Sequence, residues 1–351
     1  MSPLGITFLV PNYAPSVGGA QLLVQHVAEG LVARHGARVE VVTTDALRAP
    51  GGADPGHIDV RSEWIDGVHV RREPAARRTH AVLRDLRRAG RRLHVYRPGA
   101  NTLFVAGPLG RRIGLAAFDA ARRSDVVVGV GAPSATLWWA DVVGRRTDTA
   151  AVAMPLLHIS DEPQRPWVLR CLRRADGVAV ATSFERHWLA DRGVEAARTR
   201  ILPPGCDPAA FVDVDPAAAR ARLGLLEAPT VGFLGRMAAH KGVDTLIDAM
   251  RTVWVDRPEV RLLLAGGRTG WDLGAVLGRL GAEERARVEV RESVADDEKA
   301  WLLAACDVVA FPSRSESFGM VTVEAWCARR PVVAGDIDAV RSLVRPGVDA
   351  E

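Results

Sequence analysis

Near the end of the chain, PSRSESFGMVTVEAW (Pro312–Trp326) holds two glutamates, Glu316 and Glu324, with seven residues between them and a Phe-Gly pair inside the gap. A strand-like run, DVVAF, precedes it and a helix-like run follows. One acid beside the start of a helix is explained by the helix dipole alone. Two acids flanking a small residue at the mouth of a sheet point to a ligand that carries both hydroxyls and phosphates. With a helix starting near Phe318-Gly319, Glu324 falls in its second turn and could accept from two vicinal ribose hydroxyls, as the acid of dinucleotide sites does. Glu316, ahead of the helix, could meet a sugar or its developing charge. The first helical amides face the same edge. Taken singly, each glutamate reads more readily as a solvated surface acid; the pair combined with the Arg236–Lys241 loop does not.

Two further turns could do chemistry. In GFLGRMAAHKGVDTLIDAM (Gly232–Met250) a strand ends at Leu234-Gly235, and Arg236 and Lys241 flank a short loop before a helix. An Arg fork and a Lys point charge above a strand end make a diphosphate clamp. Lys241 and Lys299 are the only lysines in the chain, which makes a lysine at that edge more telling than another arginine. In PNYAPSVGGAQ (Pro11–Gln21), Gly18 and Gly19 stand just ahead of an amphipathic helix, where glycines let backbone amides approach an anion or a sugar. A glycine-permitted tight turn is the plain alternative. The adjacent glycines are not a GxGxxG fingerprint, which counts against a nicotinamide dehydrogenase.

The elements that would position these turns are legible as a rhythm of short apolar strand, turn and amphipathic helix. Strand-like runs occur at Gly5–Val10, Val39–Thr44, Asp125–Val130, Ala150–Leu157, Gly177–Thr182 and Thr199–Leu202. The series restarts at Thr230–Gly235, followed by Val260–Gly266, Arg287–Arg291, Asp307–Phe311 and Pro331–Ala334. Near-continuous Val/Ile/Leu strands alternating with helices indicate parallel sheets covered on both faces. Thr182 to Glu185 (TSFE) fits a capping box and predicts a helix through Asp191. The expected fold is α/β, with two doubly wound Rossmann-like domains facing across a cleft: residues 1–203, a Pro- and Asp-rich linker over 204–216, and residues 217–351.

The bulk numbers agree with this size and class. A chain of 351 residues with 48% hydrophobic and 25% charged residues has room for two cores. No apolar run reaches the ~20 residues of a membrane span. The opening MSPLGITFLVP lacks a basic n-region and reads as a first buried strand, so a cytoplasmic location is expected. Cys171, Cys206, Cys306 and Cys327 show no zinc or redox spacing and are expected to be reduced thiols.

GGAQ, MPLLHIS, PPGCDPAAF, GRMAAHKG and PSRSESFGMVTVEA, in that order, resemble the retaining nucleotide-sugar glycosyltransferases of family 4, which have the GT-B fold. The likeness runs over essentially the whole chain, and the C-terminal motifs are its specific part. It implies transfer of a hexose-type sugar from a UDP- or GDP-sugar to a small-molecule or lipid-linked hydroxyl acceptor, with retention, no cofactor and no essential metal. Arg236 and Lys241, beside Gly235, would stabilise the leaving diphosphate; Glu324 would hold the ribose and Glu316 the sugar hydroxyls. Phe318, Gly319 and Met320 would offer backbone amides. His158 matches the family's histidine near the donor sugar, and Gly18, Gly19 and Gln21 fall on the acceptor side.

The sequence departs from the family at Asp336–Val340, where a Gly-Gly-Ile-Pro-Glu type turn is common. Together with Gln21 in place of Glu, this shorter form resembles the phosphatidylinositol mannosyltransferase branch. Members usually continue past this point with another strand and helices, so the second domain is expected to lack those final helices. Two alternatives stay open: a GT-B protein that binds NDP-sugar with little turnover, and a GT-B sugar-nucleotide epimerase. A phosphorylase would need a cofactor lysine, and two lysines leave little room for one.

THAVLRDLRRAGRRLHV (Thr79–Val95) sets Val82, Leu86, Ala89 and Leu93 at helical spacing, with Arg84, Arg87, Arg88, Arg91 and Arg92 in a second stripe. Such a helix could rest on anionic lipid at the inner face of the membrane or gather an anionic acceptor; a solvated arginine face is the plain reading. Nucleic acid is not expected as a partner, because no recognition motif accompanies the arginines. If the stripe meets lipid, the protein floats with phosphatidylserine vesicles at low salt and is released at high salt. A protein that ignores such vesicles at low salt has no such contact.

Overall fold

A computed structural model of the protein describes residues 2–16, 18–47, 56–75, 111–159, 166–267, 269–292, 294–345 and 347–348. The arginine stripe between Thr79 and Val95 lies outside the described residues. The chain divides into two compact units, Met1–Pro203 and Pro204–Glu351.

The described strands of the first unit are β1 (Gly5–Leu9), β2 (Arg38–Thr44), β3 (Ser62–Ile65), β4 (Val68–Glu73), β5 (Val126–Val130), β6 (Ala150–Met154), β7 (Gly177–Val180) and β8 (Thr199–Ile201). They form one sheet in the order β3-β4-β2-β1-β5-β6-β7-β8. All neighbours are parallel except β3 and β4, which pair antiparallel. Central β1 is buried along its whole length, which explains why it reads as a continuous apolar run. Its alternate side chains serve two cores. Ile6 and Phe8 pack with Val24 and Ala28 of α1 (Gly19–His35). Leu9 packs on the other face with Ile113, Ala117 and Ala120 of α2 (Arg111–Ala121).

The β3–β4 hairpin adds an antiparallel edge to the expected parallel sheet. It turns at Asp66-Gly67, both at positive φ, and its strands are too charged to read as apolar runs. Two further helices of this unit are α3 (Ala135–Gly144), capped by Ser134, and α4 (Ser183–Ala190), capped by Thr182. The predicted strand at Ala150–Leu157 stops at Met154, because Pro155 has no N–H to donate.

In the second unit, β9 (Thr230–Leu234), β10 (Arg261–Ala265), β11 (Val288–Arg291), β12 (Val308–Phe311) and β13 (Val332–Ala334) form a parallel sheet in the order β11-β10-β9-β12-β13. Phe233 packs with Ile247, Met250 and Trp254 of α5 (Val243–Asp256) on one face. Leu234 and Leu263 pack with Leu302 and Leu303 of α6 (Lys299–Ala305) on the other. Phe211, from the Pro- and Asp-rich stretch, is buried in that same core. Among the described residues no helix is long and apolar enough to cross a membrane.

In both sheets the chain leaves the central strand to one side and later returns on the other. The switch lies between β1 and β5 in the first unit, and between β9 and β12 in the second. Ligands of doubly wound sheets bind outside the strand carboxyl ends at such a point. Gly242, which opens α5, shows how closely the loops there are packed. Its φ is 70°, and a Cβ would stand 2.1 Å from the Pro312 carbonyl oxygen just after β12. Gly242→Ala should therefore cost about 1–3 kcal/mol in denaturant unfolding; a loss below ~0.5 kcal/mol would mean that the loop yields freely.

Candidate functional site

The second unit's switch point is built from backbone before any side chain is considered. Gly235 leaves β9 with φ 151° and donates its N–H to Ala265 O at 2.9 Å. At Gly266, which leaves β10 with φ 138°, a Cβ would sit 2.1 Å from Gly235 O. Both positions need glycine for this approach. Met237, fully buried, then donates its N–H to Gly267 O at 2.9 Å, which leaves Arg236 between two anchored residues and exposed. The loop after β12 is fastened to the loop after β9 by Arg314. Its N–H donates to His240 O at 2.8 Å, and its guanidinium donates to Ala239 O at 2.7 Å and to the Asp244 carboxylate at 2.9 Å. Burial raises the Asp244 carboxyl, but the hydrogen bond from Arg314 and a backbone amide outweigh it and hold it below its ordinary value.

Onto this frame the chain's two lysines bring the two glutamates. Lys241 Nζ donates to Glu316 Oε1, with the side chains 14% and 6% exposed. Lys299 Nζ, at the start of α6, donates to Glu324 Oε1 at 3.2 Å. Glu324 lies within α7 (Met320–Cys327), whose N-cap is Gly319 at φ 103°. A Cβ on Gly319 would press to 3.2 Å from the Phe311 ring. Phe318 is buried, and Met320 is half-buried as the first residue of the helix. The hydroxyls of Ser313, Ser315 and Thr322 are buried around this helix start without a protein partner. A buried hydroxyl left unpaired costs ~1–3 kcal/mol, so these three are a local polar strain around the helix start.

In the first unit the loop after β1 is held from behind. Asn12 Nδ2 donates to Ala46 O at 2.6 Å, Thr44 Oγ1 to Pro11 O at 2.8 Å, and Arg72 Nη2 to Ala14 O at 2.6 Å. Arg72 is almost completely buried on β4 and also pairs with Glu63. Gly18 caps α1 in an extended conformation, and the Gln21 side chain folds back so that a Cβ on Gly18 would meet its Oε1 at 2.5 Å. Gly19 is exposed, with open space at its Cβ position. His158 is exposed four residues past β6, on a segment where Leu156 has φ 51°. Leu157 N–H donates to Glu185 Oε1 at 3.0 Å, and Ala181 N–H donates to Glu185 Oε2 at 2.8 Å. Burial pushes the Glu185 carboxyl up to about 7 against the pull of these two amides.

The fold thus gathers Gly235, Arg236, Lys241, Glu316, Phe318, Gly319, Met320 and Glu324 at one sheet edge. Gly18, Gly19, Gln21 and His158 stand at the corresponding edge of the first unit's sheet. Sequence reasoning missed Lys299, Arg314, Arg72 and Glu185 as participants. The rarity of lysine was the one signal for Lys299; the arginines carried none. Cys206 and Cys327, far apart in sequence, bring their Sγ atoms to 3.2 Å. Among the described residues no cluster of three or more His, Cys, Asp or Glu side chains is placed to hold a metal ion. A hollow of about 600 Å³ lined by Pro258, Glu283 and Arg287 lies at the amino ends of β10 and β11, on the opposite edge from these residues.

Residues 18–205 match the glycosyl transferase 4-like domain, and residues 228–350 match the glycosyl transferases group 1. The chain is 35% identical over 225 residues to a D-inositol 3-phosphate glycosyltransferase of Mycobacterium sp. (strain JLS), covering 60% of this chain and 49% of that protein. The Mycolicibacterium gilvum protein of the same name is 33% identical over 231 residues, covering 62% and 51%. The chain thus spans about half the length of the curated relatives it matches. In fold it is similar to sucrose-phosphate synthase of Thermosynechococcus elongatus, with TM-score 0.73 and 22% identity over 98% of this chain and 84% of that one. It is also similar to Anabaena HepE in complex with UDP and glucose, with TM-score 0.69 and 22% identity over 99% and 84%. Both are GT-B glycosyltransferase structures, and the two α/β units here have that Rossmann-like topology.

The Glu185 carboxyl gives a pH dependence whose sign follows from linkage. An acid whose pKa is raised by folding contributes stability that is complete below about 4.5 and is lost as pH rises through about 7. Relative to Glu185→Gln, the protein should lose up to ~3 kcal/mol between those limits in urea unfolding of the first unit. A difference that does not change with pH would contradict a buried, titrating carboxyl.

Proposed function

The chain belongs to the glycosyl transferase 4-like family, and from that premise we propose that it transfers a hexose from a nucleoside-diphosphate sugar to a hydroxyl acceptor. The observation that carries the proposal is the pairing of Lys241 with Glu316 and of Lys299 with Glu324 around the second unit's switch point. An incoming diphosphate competes with Glu316 for Lys241 and finds Arg236 already exposed. Glu316, released, accepts hydrogen bonds from sugar hydroxyls, and Glu324 accepts from the ribose. The amides at Phe318, Gly319 and Met320 face the same group.

In the transfer the bond from the anomeric carbon to the diphosphate oxygen breaks and a bond to the acceptor oxygen forms. The acceptor's proton leaves with the departing diphosphate. Arg236 and Lys241 stabilise the charge that grows on the leaving group, which is where fixed cations accelerate most. This division of labour asks nothing of a metal. His158 lies beside the transferred sugar in this reading, and Gly18, Gly19 and Gln21 meet the acceptor. Retention at the anomeric carbon follows the family resemblance. We favour a UDP-sugar donor, because the HepE structures hold UDP-glucose or its parts, and a phosphorylated polyol acceptor, because the inositol 3-phosphate relatives are named for one. A GDP-sugar and a lipid-linked acceptor are the competing choices.

The test is nucleotide release from UDP-, GDP- and ADP-hexoses, first with water and then with D-inositol 3-phosphate or a lipid-linked hydroxyl. Release should fall at least ~100-fold in Lys241→Ala and Glu316→Ala, as when a preorganised charged group is removed. Glu324→Ala should weaken donor binding by ~1–3 kcal/mol, the worth of a charge-assisted hydrogen bond. Tight donor binding without release by the unaltered protein would favour a sugar-nucleotide-binding role. Unchanged donor affinity in Glu324→Ala would remove it from the ribose.

A further inference from the structure

We propose that Glu185 is a positioning residue whose buried carboxylate fixes the backbone carrying His158, and that it acts on the transfer through that histidine. The functional half of this inference rests on the role proposed above for His158; the structural half does not.

TSFE reads as a capping box, and half of one is present: Thr182 Oγ1 accepts from Glu185 N at 3.0 Å. In the complete motif the glutamate would return to the N–H of the capping residue. Here it does not. Glu185 Oε2 takes Ala181 N–H, at the end of β7, and Oε1 reaches across to Leu157 N–H, beyond the end of β6. One carboxylate therefore bridges two adjacent parallel strands just where they give way to loops, and it grips the residue immediately before His158.

The remaining contacts point the same way. Leu157 is 2% exposed and packs with Val168, Leu172, Val180 and Leu189, so its side chain is anchored in the core while its N–H is held by Glu185. Leu156, one residue earlier, adopts φ 51°, a left-handed conformation uncommon for a branched apolar residue and sustained only where surroundings impose it. The two restraints on Leu157 are such surroundings. They leave His158 at the end of a fixed lever.

The residue type is also explained. Two amides approach from two directions, and a carboxylate offers two acceptor oxygens and no donor. A glutamine could satisfy one amide but would turn its NH₂ group on the other. Glu185 is 1% exposed, where a carboxylate is costly unless it is hydrogen-bonded on both sides. A surface helix cap carries no such cost. Burial and these same two amides are the influences that set its protonation.

The experiment compares the full chain with Glu185→Gln, His158→Ala, the double variant and Thr182→Ala. Thr182→Ala removes the helix cap but leaves the carboxylate clamp, and so serves as the reference for lost stability alone. Turnover is read as UDP release from UDP-glucose, with water or D-inositol 3-phosphate as acceptor, and amide hydrogen exchange is followed over residues 155–159. Glu185→Gln should lower kcat about tenfold with UDP-glucose affinity unchanged, and should raise exchange at Leu157 at least tenfold. In the His158→Ala background the same substitution should change kcat less than twofold, because the group it positions is gone. Thr182→Ala should lower stability and leave kcat as it was.

Multiplicative losses in the double variant, or unchanged exchange at Leu157, would overturn the positioning role. Full turnover by His158→Ala would instead remove the histidine from the reaction. That outcome, or no release from UDP-glucose by any form, leaves the exchange measurement to decide the clamp by itself.

Discussion

An ammonium and a carboxylate held largely out of water, Lys241 against Glu316, set the condition that much of the second unit satisfies. Neither group could be buried to that extent alone, because an unpaired charge away from solvent costs several kcal/mol. The two lie 75 residues apart and meet only if the loop after β9 lies directly beside the loop after β12. That adjacency is the reversal of strand order in the sheet. Gly242 lets one loop press on the carbonyl of Pro312, and Arg314 ties the same loops together from the solvent side. The pair, the glycine and the arginine are three consequences of one topological fact.

The first unit meets a related problem without a counter-ion. Two backbone amides at the ends of neighbouring strands converge on its buried carboxyl, Glu185, and offset part of the cost of burying it. The two solutions have different mechanical results. An ion pair of flexible side chains can exchange partners when a competing anion arrives. A carboxylate bound to main-chain amides cannot leave without moving the chain. Adaptable charge therefore stands at one sheet edge and stiff backbone at the other.

How much of this could be read from residues alone depended on range. The strands β1, β9 and β10 declared themselves because burial along most of their length makes them largely apolar, so local composition was enough. The β3–β4 hairpin escaped because it lies at the sheet's edge, where Glu63, Arg71, Arg72 and Glu73 break the apolar run, although Asp66-Gly67 is a strong turn signal. Glu185 was legible as a helix-start residue and misjudged in its partner, since the Leu157 amide is 28 residues away. Glu316 and Glu324 stood out by spacing, but nothing in the sequence says that each takes one of the two lysines. Arg314 and Arg72 could not be singled out among so many arginines; only their carbonyl partners distinguish them.

The scarcity of lysine has a practical side. Every side-chain amine in this chain sits at the carboxyl-end edge of the second sheet, paired with an acid and mostly shielded. Reagents that acylate amines thus have, apart from the chain terminus, two places to react, and both lie where the proposed donor's diphosphate and ribose would rest. The mass of the intact protein after brief acylation becomes a count of how far those two pairs have opened. In an arginine-built protein, two lysines amount to an internal gauge of occupancy.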